Sequence, residues 1–242
     1  MRKVVGNVTG YRPRGVTWSA DATMIAVGGG GNDADVRIFE TTNWTLVYTV
    51  PYPGYGYYDA YPSFKDDKYL AVIYGYNRKL RIYNCSDWSL AKEISDMGGD
   101  YPQFNPTGTK MAIAGNNQYV QVLNTSDNDA ANWSVERTLQ VPEETTARLC
   151  WSMDGQELIV FTYEPCKIYI YDTFSWPVKK STEWVGPVTQ NVACKLGIVA
   201  TYWNISEARI YDHSTLSLVK TIGTGEPEKG GGVGFQIVRK WW

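Results

Sequence analysis

Residues 61–94 read YPSFKDDKYLAVIYGYNRKLRIYNCSDWSLAKEI. Four short apolar or β-branched runs are separated by KDDK at 65–68, GYNRK at 75–79 and NCSD at 84–87. Asp, Asn and Gly bend a chain through local side-chain hydrogen bonds or by tolerating positive φ, so each cluster reads as a turn. No window in this stretch repeats its apolar residues at helical spacing, and the runs are too short and too evenly interrupted for helices. The stretch therefore predicts four strands, near 61–64, 69–74, 79–83 and 89–94.

The same grammar extends in both directions. Units at 16–50, 101–139, 149–180 and 188–222 repeat it, giving five in all. The aromatic that marks the first strand falls at Trp18, Phe64, Phe104 and Trp151, with spacings of 46, 40 and 47. Turn clusters recur at matching places: SADAT, KDDK, NPTGT and SMDGQ after the first strand, then ETTN, NCSD, NTSD and DTFS after the third. A period of this length belongs to propeller blades or to helical solenoids, and the strand chemistry selects blades. The chain reads as an all-β, single β-propeller domain over residues 1–242.

The third strands end RIFE (37–40), RIYN (81–84), QVLN (121–124), YIYD (169–172) and RIYD (209–212). With the DG-type turn and the hydrophobic second strand, this pattern resembles the WD-repeat family and related bacterial-type β-propellers over nearly the whole chain. The chain departs from that family in lacking the Gly-His dipeptide and the terminal Trp-Asp, and one histidine, His213, cannot build the family's hydrogen-bond network. Four units instead carry a tryptophan after the third strand, at Trp44, Trp88, Trp133 and Trp176, with Leu216 in the fifth. These are expected to pack the outer part of each blade.

Ring closure has two readings. MRKVVGNVTGYRPRGVTW at 1–18 overlays LVKTIGTGEPEKGGGVGF at 218–235, so both ends carry an outer strand, a connection and an inner strand. Five four-stranded blades are favoured, with the terminal strands 1–10 and 233–242 left for closure or partner contact. Six blades, the last built from both termini, is the alternative; either way sheet edges need pairing or protection.

Composition narrows function. Of 242 residues, 23 are Lys or Arg and 25 Asp or Glu, a net charge of −2, while 43% are apolar and 20% charged. That excludes a disordered or fibrous chain and gives no broad phosphate-neutralising field, so nucleic acid is a weakly supported partner despite Arg2, Lys3, Arg12 and Arg14 near the start. The four cysteines, Cys85, Cys150, Cys166 and Cys194, are far apart and read as reduced packing residues. No apolar run approaches the roughly 18 residues of a membrane span, and no secretory leader is evident. The expected compartment is soluble and cytoplasmic, with a virion as an alternative location. Six Asn-x-Ser/Thr sequons, at Asn7, Asn43, Asn84, Asn124, Asn132 and Asn204, read as turn chemistry.

Catalytic and metal motifs are poor. His213 sits in the turn YDHSTL, away from any serine-protease-like context. Asp33/Asp35 and Asp127/Asp129 do not continue as calcium loops, and GGGG at 28–31 lacks the Lys-Ser/Thr of a phosphate loop. The sequence implies neither a cofactor nor a metal. The aromatic excess is the positive signal: 10 Trp, 18 Tyr and 6 Phe make 14% of the chain. Tyr52, Tyr55, Tyr57, Tyr58, Tyr76, Tyr119, Tyr163, Trp184 and Trp203 fall in connections that a propeller gathers on one face. Tyr and Trp offer large area, a polar tip and few rotatable bonds, which suits a protein contact. The expectation is a non-enzymatic binding platform for protein partners in a larger assembly, including a structural or decoration subunit of a phage particle. Alternatives are a glycan-binding propeller, with Asp33, Asp35, Asp59 and Asn116 as hydrogen-bonding groups, and, third, a propeller hydrolase. A third use of the tyrosines is to seal gaps between blades.

Overall fold

The computed structural model describes residues 13–31, 34–54, 58–75, 78–114, 118–142, 146–162, 166–182, 189–194, 198–202 and 207–223. The terminal strands expected at 1–10 and 233–242 lie outside these residues. The first blade is β1 (Gly15–Trp18), β2 (Met24–Gly28), β4 (Val36–Glu40) and β5 (Leu46–Val50), with the two-residue β3 (Gly30–Gly31) between β2 and β4. The second is β6 (Tyr58–Lys65), β7 (Tyr69–Tyr74), β8 (Lys79–Asn84) and β9 (Leu90–Ile94). The third is β10 (Tyr101–Phe104), β11 (Lys110–Ala114), β12 (Tyr119–Asn124) and β13 (Ser134–Gln140), with a 3-10 turn at Ala130–Asn132. The fourth is β14 (Thr146–Trp151), β15 (Glu157–Thr162), β16 (Ile168–Asp172) and β17 (Val178–Ser181). The fifth is β18 (Thr189–Cys194), β19 (Ile198–Tyr202), β20 (Glu207–Tyr211) and β21 (Leu218–Gly223).

Each blade is an antiparallel meander in chain order, and β3 adds to the second sheet by pairing Gly30 and Gly31 with Asp59 and Tyr58. The four strands expected at 61–94 are present. The first is longer than the sequence indicated, because pairing with β3 carries it back to Tyr58. This cross-blade bridge also explains part of the glycine run. An added Cβ at Gly28 would stand 1.9 Å from the Ala60 carbonyl oxygen and 2.8 Å from Pro62 Cδ, so the first and second blades approach too closely there for any side chain.

The repeated turns do what their chemistry predicts. Ser19, Asn105 and Ser152 follow the marker aromatics, and their side-chain oxygens accept the backbone N–H of Met24, Lys110 and Glu157. Left-handed backbone closes the same turns at Ala22, Gly108 and Gly155. After the third strand, Trp88, Trp176 and Leu216 adopt φ of 58°, 68° and 57°, and their N–H groups donate to Asn84, Asp172 and Asp212. Trp44 shares the left-handed φ, at 65°. Trp133 differs: the 3-10 turn lengthens its loop, and it is extended and fully buried, with Nε1 donating to the Asp127 carbonyl. A register shift between third and fourth strands recurs at the same point in every blade, after Ile38, Ile82, Val122, Ile170 and Ile210. Such bulges sharpen local twist, as radially packed sheets require.

The first strands β1, β6, β10, β14 and β18 contact one another in succession, so they form the inner edge. Four apolar cores join consecutive blades. Ala26, Val36 and Ile38 meet Phe64, Leu70 and Val72; Ala71 and Ile82 meet Met111, Ile113 and Trp133; Ala112 and Val122 meet Trp151, Leu158 and Tyr171; Ile159 and Ile170 meet Tyr211 and Leu216. Among the described residues no corresponding core joins the fifth blade to the first. Lysines reinforce the second interface: Lys65, buried, donates to the Thr125 carbonyl at 2.7 Å with its ammonium over the Trp133 ring, and Tyr69 donates to the Asn128 carbonyl.

One expectation is overturned. Cys150 and Cys194 form a disulfide between β14 and β18, while Cys85 and Cys166 remain thiols. The ladder register supplies the reason. Trp18 pairs with Ile25, Phe64 with Leu70, Phe104 with Met111 and Trp151 with Leu158, and the corresponding pair in the fifth blade is Cys194 with Ile198. Cys194 thus stands where the other units carry the marker aromatic, facing Cys150 of the preceding blade. A covalent bond ties the two strands where a large ring does so elsewhere.

Candidate functional site

Three residues before each marker, the inner strands bring a second set of side chains to one level: Gly15, Tyr61, Tyr101 and Arg148. Arg14, next to Gly15, donates from Nε to Asp59 Oδ1 at 3.0 Å. The Tyr61 hydroxyl lies 3.4 Å from Asp59 Oδ2, to which it donates, and accepts from the Tyr101 hydroxyl at 3.2 Å. The two rings pack with centroids 4.4 Å apart. The Arg148 guanidinium then lies over the Tyr101 ring, 3.4 Å from its centroid. The result is a continuous chain, Arg14, Asp59, Tyr61, Tyr101, Arg148, that runs along the inner edge from the first blade to the fourth.

Its electrostatics are mixed by construction. Arg14 and Asp59 are both partly exposed, so their ion pair is weak in energy and serves mainly to set geometry. Burial pushes the Tyr61 phenol above its ordinary range, and the Tyr101 hydroxyl and Asp59 add to the shift, so Tyr61 remains a neutral hydrogen-bonding group. Stacking an arginine on a tyrosine face shields one side of the guanidinium from water.

The chain sits at the end of the inner strands where the blade-to-blade connections arrive. β6 begins after residues 51–57, and β2 and β7 leave at Gly28 and Tyr74 on the same side, as the pairs Gly15 with Gly28 and Ala60 with Tyr74 require. This is the face to which the sequence assigns the aromatic loops. Of the residues expected there, Tyr52 packs against Tyr74 with centroids 5.3 Å apart, its N–H donating to Asp35. Tyr52 therefore seals the joint between the first two blades. Tyr119, at the start of β12, is 44% exposed on this face. Tyr55, Tyr57, Tyr76, Tyr163, Trp184 and Trp203 lie outside the described residues, as does the side chain of Tyr58. Asp33 and Asn116 lie outside them too.

Tyr61, Tyr101 and Arg148 were not singled out from sequence. Their signal was present, since aligning the units on the marker aromatic puts all three in one column, but that column holds a glycine in the first unit and mixes ring with guanidinium. The other sequence candidates take local roles. Asp127 accepts the Asp129 N–H and Asp129 caps the 3-10 turn through Ala131. His213 Nε2 lies 2.6 Å from Glu157 Oε2 across the fourth interface, on the outer side of the blades.

No family model matches this chain, and no curated protein matches it. Solved structures do. The β-propeller domain of Cps50 (Swd1) from Myceliophteria thermophila superposes with a TM-score of 0.66 at 12% identity, covering 87% of this chain and 73% of that one. A protein from Lactobacillus plantarum superposes with a TM-score of 0.73 at 16% identity, covering 89% and 72%. At such identities the likeness establishes the fold. Among the described residues no helix is long and apolar enough to cross a membrane.

Proposed function

We propose that this β-propeller is a non-enzymatic, rigid platform for protein partners, a divergent WD-repeat-like member of its fold class that serves as a subunit of a larger assembly, of which a phage particle is one example. The observation that carries the reading is the chain from Arg14 to Arg148. It places two guanidiniums, a carboxylate and two phenols at one level on the inner edge, beside the aromatic connections. Interfaces concentrate their energy in Tyr, Trp and Arg held by rigid neighbours, and here the neighbours are inner strands rather than loops. The alternation of donors, acceptors and flat apolar rings suits a polypeptide, which offers backbone amides and side chains together.

The test is affinity recovery from the native source with the tagged wild-type chain and with Arg148→Ala and Tyr101→Ala. The expected result is a discrete partner whose recovery falls at least about tenfold with either variant, the loss of one hot-spot contact. Wild-type protein that recovers no partner, or a partner held equally by all three chains, removes the reading. A glycan array read with the same proteins separates the glycan alternative: binding there, abolished by Tyr55→Ala or Tyr57→Ala, would replace the protein-partner assignment.

A further inference from the structure

The end of the molecule opposite the inner-edge chain is built from two turns per blade, one between the first and second strands and one after the third. After the third strand, the N–H groups of Trp88, Trp176 and Leu216 donate to the carbonyls of Asn84, Asp172 and Asp212, and the tips of these turns are Ser86, Phe174 and Ser214. Thr42 holds the same place before Trp44. In the other turn, two residues after the marker aromatic, stand Ala20, Asp66, Pro106 and Met153. The fourth blade alone puts a large apolar residue at both tips. Phe174 is 96% exposed and Met153 56%.

A lone exposed apolar residue needs no explanation. These two sit on turns laced together, since Thr173 donates its N–H to the Gln156 carbonyl and its hydroxyl to the Gly155 carbonyl. Each also has a carboxylate beside it. Asp154, next to Met153, accepts the Ser152 hydroxyl and the Gln156 N–H, and Asp172 accepts the N–H groups of Ser175 and Phe174. Those donors hold both carboxyls below their ordinary range, so both are ionised at neutral pH. Among the described residues no cation stands at ion-pair distance from either, because Lys179 and His213 both meet Glu157 and Lys180 donates to the Ser214 carbonyl. Serine closes the same turn in the second and fifth blades, so the Phe174 ring is not needed to form it. The turn nevertheless holds the ring in place, which lowers the ordering cost of a contact there.

We propose that the Met153 and Phe174 tip is a second docking surface, at the opposite end from the inner-edge chain, for a protein partner that offers an apolar pocket bordered by lysine or arginine. A ring standing almost wholly clear of its own chain buries its surface only in a concave partner, and Phe and Met are both enriched in the buried centres of interfaces. The two unpaired carboxylates set the sign of the rim. They disfavour anionic lipid, and equally a second copy docked tip to tip, whose same end repeats the charge at Asp21, Asp66, Asp87 and Asp212. With both ends in use, the propeller joins two partners.

The test replaces Phe174 with photoreactive benzoylphenylalanine in the full chain and irradiates it in extract of the native source, with the same probe at Ser86 as control. One protein is expected to cross-link through position 174 alone, at an apolar site flanked by lysine or arginine. With that protein purified, Phe174→Ser should weaken binding at least about tenfold and leave the melting midpoint at the wild-type value. Asp154→Asn/Asp172→Asn should flatten the salt dependence of binding, and Arg148→Ala should leave the affinity unchanged. The proposal is overturned by no cross-link, by a cross-link to a second copy of this chain, by equal cross-linking from position 86, or by binding that Phe174→Ser leaves intact. Binding indifferent to salt rules out the basic rim, and loss of binding with Arg148→Ala assigns the partner to the inner edge instead.

Discussion

Removing the Cys150–Cys194 bond isolates one interface from the other three. The cysteines are 44 residues apart, on the inner strands of the fourth and fifth blades. Closing a loop of that length in the unfolded chain removes entropy worth about 4 kcal/mol of folding stability on the chain-entropy account. The surrounding core contains Ile159, Phe161, Ile168, Ile170, Tyr211 and Leu216, so the interface keeps its apolar contacts when the bond is absent. In a repeat array each unit depends chiefly on its neighbours, and the fifth blade has one described neighbour. The loss should therefore appear as early melting of residues 189–223, ahead of the rest. If the whole domain instead melts as one unit, about 4 kcal/mol lowers its midpoint by about 8–16 °C. The assay is thermal melting of the wild type with and without reductant, alongside Cys150→Ala/Cys194→Ala, with limited proteolysis to locate the first segment released. Alkylation in denaturant without reductant should label two thiols, Cys85 and Cys166. Four labelled thiols, or a melting curve indifferent to reductant, would refute the reasoning.

Gly28→Ala should lower the folding stability by about 1–3 kcal/mol, since the new methyl would meet the backbone of Ala60, which cannot rotate away; wild-type stability in urea would show that the two blades can separate there. Acid sensitivity has a defined sign. The Thr23 backbone N–H, then the Ser19 and Thr23 hydroxyls, hold Asp21 down at about 2 from 3.8, and the Ser214 hydroxyl with Thr215 does the same for Asp212. Groups whose pKa is depressed by folding stabilise the fold above their unfolded value and lose that contribution as pH falls, so stability should decline between about pH 4 and about pH 2. Asp21→Asn/Asp212→Asn should flatten that decline in urea titrations across the range, and an unchanged slope would assign acid sensitivity to other carboxylates.

The parts of the fold legible in sequence are those fixed by local chemistry. Ser19, Asn105 and Ser152 each close a turn with the N–H five residues on, a bond made within a single hexapeptide, so the turn and the strands it separates can be read from residue types. The extension of β6 to Tyr58 could not be read in that way, because its partners, Gly30 and Gly31, belong to the previous blade. Cys194 was hidden for a related reason. Its position needs something that ties β18 to β14, and a tryptophan, a phenylalanine or half a disulfide satisfies that need equally, whereas a pattern of residue types recognises only the rings. Tyr52 shows the converse: it lies in a Tyr- and Gly-rich connection and reads as a contact residue, yet a tyrosine at a blade joint buries its ring against Tyr74 whatever else the loop does.

The inner-edge chain and the interfaces cannot be separated energetically. From Arg14 to Asp59 the chain crosses from the first blade to the second, from Tyr61 to Tyr101 from the second to the third, and from Tyr101 to Arg148 from the third to the fourth. Each link is a contact of 3–4 Å between strands of different sheets, so sliding one blade against the next by a single ångström opens it. What prevents that slip is the close-packed row of Trp133, Met111 and Ile113 against Ala71 and Ile82 and its counterparts in the neighbouring interfaces, since interiors at this density have discrete arrangements rather than continuous give. On the proposed function, a partner that grips Arg148 and Tyr101 would bind a geometry held by the whole series of cores. This gives the aromatic excess two linked uses: rings in the marker and turn positions fix the blades, and Tyr61 and Tyr101, three residues before their markers, carry the contact from the second blade to the third.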